Sequence, residues 1–156
     1  MDAQAVLRIL RAFEAEHVEY KLVGAIAMSV QGIVRATQDI DFFVRPDEPN
    51  VERVRRALGT LWDDPELVEI TAEELAGESP TIRYAPPGEE FVIDLIARLG
   101  EAFDYDSIEA EMIAVDGIAV RVATPRMLFA MKHATLRAQD RVDAEALRQK
   151  FGLEDS

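Results

Sequence analysis

The spacing of apolar positions changes several times along this chain, and each change marks an element. Val6, Leu7, Ile9, Leu10 and Phe13 recur at helical spacing, which predicts an amphipathic helix over 3–16. Residues 20–24 read as a short strand ending on Gly24, and the small, apolar run 25–30 as a buried helix that stops near Gly32. Residues 39–44 alternate and then become wholly apolar, the mark of a strand inside a sheet. Pro46 closes that strand. Asn50 reads as the cap of a helix carrying Val51, Val54, Leu58 and Leu61.

Residues 63–80 are acidic and show no period, and Asp63, Asp64, Glu66, Glu69, Glu73 and Glu74 read as a solvated surface. Residues 81–85 fit an edge strand before the Pro86-Pro87-Gly88 turn. Residues 91–96 are continuously apolar except for Asp94. Residues 112–122, broken by Asp116-Gly117, carry a hairpin signal. Thr124-Pro125 opens a helix, a last helix spans 141–150, and the tail from Leu153 to Ser156 frays. Strands are not regularly separated by crossover helices. The prediction is therefore one α/β (α+β) domain over 1–156, with a mixed sheet flanked by helices.

The chain has 156 residues, 49% hydrophobic and 30% charged, the balance of a globular protein with a real core. Thirty acidic against 17 basic residues give a formal charge of −13, which disfavours an extended nucleic-acid partner. A bound cation can reverse the local sign, so a nucleotide remains compatible. The absence of cysteine excludes disulfides, thiolate metal sites and cysteine nucleophiles. No signal-peptide layout and no membrane-spanning apolar run is present, so the expectation is a cytoplasmic protein.

His17 and His133 are the only histidines, too few for a zinc site, and His17 fits a helix C-terminus as a favourable cation. Ser29 and Ser79 have no His–Asp set behind them. Trp62, Phe129 and Phe151 fit helix stripes and read as core.

Asp39 and Asp41 are two apart on a strand, so both face the same side. Alone, this triplet fits better a turn cap beside a solvated strand-end residue, because such a triplet is common by chance. Asp94 changes the weighing, because a carboxylate among Phe91, Val92, Ile93, Leu95 and Ile96 is costly unless paired with an arginine or bound to metal. If the two strands are adjacent, Asp41 and Asp94 converge, and three carboxylates suit divalent-metal phosphoryl chemistry. Gly24 at the strand–helix junction lets backbone approach a phosphate. Arg35 and Thr37 stand just before the acidic motif; Arg35 either contacts phosphate or pairs with Asp39.

Residues 22–28 followed by Arg35-Ala36-Thr37-Gln38-Asp39-Ile40-Asp41 resemble the nucleotidyltransferase-fold superfamily, in particular its small AbiEii/AbiGii toxin-type members. Asp94 matches the third carboxylate of that pattern. Residues 124–132 resemble a helix carrying a lysine, here Lys132, and Arg137, Asp140 and Asp143 match a following R-x-x-D-x-x-D pattern. The resemblance implies transfer of a nucleoside monophosphate from an NTP to an acceptor (a protein, an RNA end or a small molecule), with Mg²⁺ or Mn²⁺ as cofactor. It implies Asp39, Asp41 and Asp94 as catalytic and metal-binding residues. It implies nucleotide contacts at Gly24, Ala25, Arg35, Thr37 and Lys132.

A toxin–antitoxin setting with a cognate protein partner follows from the same resemblance. Two departures temper the expected activity: Ala25 stands where the family has Gly or Ser, and the further C-terminal domain of longer toxins is missing. The competing expectation is a weak or inactive binding or regulatory protein on the same fold.

Overall fold

The computed structural model describes residues 1–77, 80–133 and 138–153, with the side chains of residues 133 and 138 left aside. Ser79, Arg137, the His133 side chain and residues 154–156 therefore lie outside the described residues. The chain runs α1 (Ala3–Ala15), β1 (Tyr20–Val23), α2 (Gly24–Val30), β2 (Asp39–Val44) and α3 (Glu48–Gly59). A 3-10 turn (Pro65–Glu69) and α4 (Ala72–Ala76) follow. The remainder is β3 (Thr81–Tyr84), β4 (Val92–Ile96), β5 (Arg98–Leu99), β6 (Phe103–Asp104), β7 (Ala110–Val115), β8 (Ile118–Ala123), α5 (Pro125–His133) and α6 (Ala138–Phe151).

Six strands form one sheet in the order β3-β4-β2-β1-β8-β7, while β5 and β6 form a separate two-stranded ribbon. β2 runs parallel to β4, and β1 parallel to β8. The pairs β1–β2, β3–β4 and β7–β8 are antiparallel, so the sheet is mixed, as the missing crossovers imply. The β7–β8 turn holds Asp116 and Gly117 at φ 50° and 82°, the doubly left-handed geometry of a two-residue hairpin.

Alternation decides which face is core. Ile40 and Phe42 of β2, Ile93 and Leu95 of β4, Leu22 of β1, and Val120 and Val122 of β8 are fully buried. α1 closes this face through Phe13, whose ring lies 4.6 Å from that of Phe42 and 5.6 Å from that of Tyr20. The opposite face carries Asp39, Asp41, Asp94 and Arg83, placed in line by the registers Asp41↔Asp94 and Arg83↔Asp94. The carboxylates thus gather on the face opposite α1, beside the buried apolar residues Phe43, Ile96 and Val23 of the same face. Trp62 and Phe129 are buried and Phe151 half-buried against the core, although Trp62 lies beyond the end of α3 and not on a helix stripe.

Three local expectations need correction. Asn50 does not cap α3: the cap is Asp47, whose carboxylate accepts from the Asn50 N–H at 2.8 Å, with Pro49 in the first turn. Asn50 is instead fully buried, accepting from the Glu19 N–H and donating to the Glu19 and Arg45 carbonyls. It ties the segment entering β1 to the one leaving β2. The stretch 63–80 also contains two short elements, each started by a side-chain cap (Asp64 and Thr71). Five residues are too few to show a period.

The third correction is His17, which ends α1 through its backbone. Its φ is 57°, its N–H donates to the Glu14 carbonyl, and the Val18 N–H donates to Phe13, the paired bonds of a Schellman motif. A side chain in this left-handed region is strained. His17→Gly is therefore expected to raise stability by about 0.5–1 kcal/mol, measured as a shift in urea midpoint at constant slope. No helix among the described residues is long and apolar enough to cross a membrane.

Candidate active site

β1 ends at Val23 and the chain turns into α2 at Gly24, whose φ of +74° is one that glycine adopts freely. The turn also needs the missing side chain. A Cβ on Gly24 would stand 2.1 Å from Asp41 Oδ2, so the carboxylate rests directly against the Gly24 backbone. Ala25 follows, buried, in the first turn of α2, which has no side-chain cap. Val23, Gly24, Asp41, Leu128, Met131 and Lys132 help line a cleft of about 370 Å³, within the range of small-molecule sites.

Asp41 and Asp94 face each other across β2 and β4 and share a hydrogen bond. Burial above all, then that bond and the charges of Asp94 and Asp39, push the Asp41 carboxyl up to about 7. Lys132 pulls weakly the other way. Asp39, two residues earlier, is more open, its side chain 43% exposed. The three carboxylates matched in sequence do meet on one sheet face.

Arg83 on the edge strand β3 was not anticipated. Its Nε donates to Asp94 Oδ1 at 3.0 Å and its Nη2 to Asp94 Oδ2 at 3.2 Å, with Nη2 also 3.7 Å from Asp39 Oδ2. The sequence did carry a signal for it. An arginine was one of two ways to tolerate a carboxylate in an apolar strand, and Arg83 alternates with Ile82 and Tyr84 on the neighbouring strand.

Lys132 projects from α5 with only 16% of its side chain exposed, so it is not a surface lysine. Its Nζ lies 2.9 Å from Asp140 Oδ1 and 3.4 Å from Asp143 Oδ2, both buried carboxylates on α6. Arg35 donates to the same Asp143 Oδ2 at 2.7 Å, so its ion pair is Asp143 and not Asp39. Among the described residues these four charges balance, which lowers the cost of burying them. Thr37 sets the start of β2: its Oγ1 accepts from the Asp39 N–H at 3.1 Å. Gly24, Asp41 and Lys132 therefore share the cleft, whereas Arg35 and Thr37 line a different cavity beside Val6, Ile26 and Val34.

Among the described residues no three acidic or imidazole groups already form a metal cage. A cage is not what Mg²⁺ demands, since it binds through one or two carboxylates, retained waters and substrate phosphates. Adjacent carboxylates that repel one another, all hard oxygen donors, fit such a cation well.

No curated protein matches the chain. Among solved structures, a Thermotoga maritima protein described as a nucleotidyltransferase aligns over 96% of this chain and 91% of its own, at 15% identity and TM-score 0.55. ANT(2″)-Ia, in complex with adenylyl-2″-tobramycin, aligns over 96% of this chain and 88% of its own, at 14% identity and TM-score 0.56. At such identities the likeness speaks for the fold, a nucleotidyltransferase-type mixed sheet flanked by helices. The family model described as "Nucleotidyl transferase AbiEii toxin, Type IV TA system" matches residues 8–150. With nearly the whole chain matched, the protein belongs to the AbiEii toxin family of nucleotidyl transferases.

Proposed function

We propose that the cleft binds a nucleoside triphosphate with Mg²⁺ or Mn²⁺ and transfers its nucleoside monophosphate to an acceptor. The observation that carries this reading is Asp41, which shares one cleft with Gly24 and Lys132 and stands in register with Asp94 on the neighbouring strand. An acceptor nucleophile attacks the α-phosphorus, the bond from that phosphorus to the bridging oxygen breaks, and pyrophosphate leaves with the electron pair. The acceptor's proton passes to a carboxylate of the set. A cation held by Asp39, Asp41 and Asp94 supplies charge neutralisation at the phosphates.

The remaining residues bind and orient. The Gly24 and Ala25 backbone offers N–H donors to the triphosphate, and Lys132 supplies a compact positive charge on the opposite wall. Asp140, Asp143 and Arg35 hold that lysine in place, and Thr37 orients Asp39. The acceptor is a protein, an RNA end or a small molecule. Adenylyl-2″-tobramycin on a structural neighbour supports the last of these as accessible to the fold. The setting that fits is cytoplasmic, with a cognate antitoxin partner.

A second reading, a nucleotide-binding regulatory protein, is favoured by Ala25, whose buried methyl offers no hydroxyl to a phosphate. Incubation with each α-³²P-labelled NTP, Mg²⁺ or Mn²⁺ and cell extract separates the two. The expected result is label on an acceptor, absent with Asp39→Ala. Metal-dependent NTP binding without transfer favours the regulatory reading, and no binding at millimolar NTP and metal removes both.

A further inference from the structure

Arg83 already does electrostatically what a cation would do. Its planar fork takes both Asp94 oxygens and approaches an Asp39 oxygen, bridging two of the three carboxylates assigned to the metal. The two ends of this contact differ in mobility. Asp94 is buried, 7% exposed, on an interior strand, whereas the Arg83 side chain is 63% exposed on edge strand β3. The carboxylate is fixed; the guanidinium can turn to water and be solvated there.

The pair offsets the cost of burying the Asp94 carboxylate, whose side chain is 11% exposed. It also competes with whatever else would bind the same oxygens. A guanidinium and a divalent cation cannot both occupy them without strong mutual repulsion.

We propose that Arg83 is an internal stand-in for the divalent cation. It neutralises the Asp39–Asp94 end of the site when no cation is bound, and it withdraws to solvent when one binds. Arg83 thereby sets the metal concentration at which the site loads. The proposal rests on the metal reading of the three carboxylates given above.

The test is Mn²⁺ binding to the full chain at pH 8 without nucleotide, read from the electron paramagnetic resonance signal of free Mn²⁺. Arg83→Gln keeps a polar side chain and removes the charge; it is expected to bind Mn²⁺ about three- to tenfold tighter than the wild type. Arg83→Lys keeps the charge without the fork and falls between the two, and it decides the matter alone if Arg83→Gln does not fold. Equal or weaker binding by the variants, with the wild type binding normally, overturns the stand-in role and leaves the metal site intact. If neither wild type nor variant binds Mn²⁺ better than Asp41→Asn, the metal reading itself fails.

Discussion

Asp41→Asn is expected to stabilise the metal-free protein by about 2 kcal/mol above pH 7, while lowering nucleotide transfer on the order of a thousandfold. The reason is the Asp41 carboxyl, pushed from 3.8 up to about 7 by burial, by its bond to Asp94 and by neighbouring negative charge. Between those values the folded chain holds a proton that the unfolded chain releases. Stability therefore falls as pH rises through this window, and the penalty is complete once pH exceeds the folded value. Each tenfold change in proton affinity is worth about 1.4 kcal/mol. Solvent and Arg83 relax part of the repulsion, which is why about 2 kcal/mol is expected and not the full product.

The amide has the shape of the protonated acid and never charges. Urea unfolding in the presence of EDTA at pH 4, 6 and 8 should show wild type and variant converging at pH 4 and separating by pH 8. Mn²⁺ should restore the wild type at pH 8 and leave Asp41→Asn unmoved. If the variant is no more stable than wild type at pH 8, Asp41 does not carry the proposed strain.

This opposition of stability and activity explains why part of the site was legible in the sequence and part was not. A lone Asp94 in an apolar strand breaks the local pattern of its own element, so it stands out without any knowledge of its neighbours. Asp39 and Asp41 share a face because a strand repeats every two residues. Those signals are local. Arg83 became a site residue only through the register of β3 on β4, which the sequence does not state.

The charge quartet was hidden in the same way. Arg35 and Asp143 are 108 positions apart, and their pairing depends on α6 lying against the segment between α2 and β2. Proximity along the chain suggested Asp39 as the partner of Arg35, and tertiary packing overrode it. The fold itself was more legible, because hydrophobic period, the Asp116-Gly117 turn and the Thr124 cap each act within a few residues. Asn50 misled because cap and buried tie use the same side-chain chemistry, and only burial tells them apart.

Gly24→Ala is expected to cost about 2–3 kcal/mol of stability and to lower transfer by at least about a hundredfold. Two separate effects contribute. The φ of +74° strains any residue with a Cβ, by about 1–2 kcal/mol. The new methyl would also stand 2.1 Å from Asp41 Oδ2, so the carboxylate must leave its place. A double-mutant cycle with Asp41→Ala separates them. Removing the carboxylate relieves the clash and leaves the backbone strain, so the double variant should lose about 1 kcal/mol less than the sum of the two singles. Additivity would show that Gly24 is needed for its backbone conformation alone. A loss smaller than the sum would show that the glycine is there to seat Asp41, which makes the strand–helix turn part of the carboxylate site and not merely its boundary.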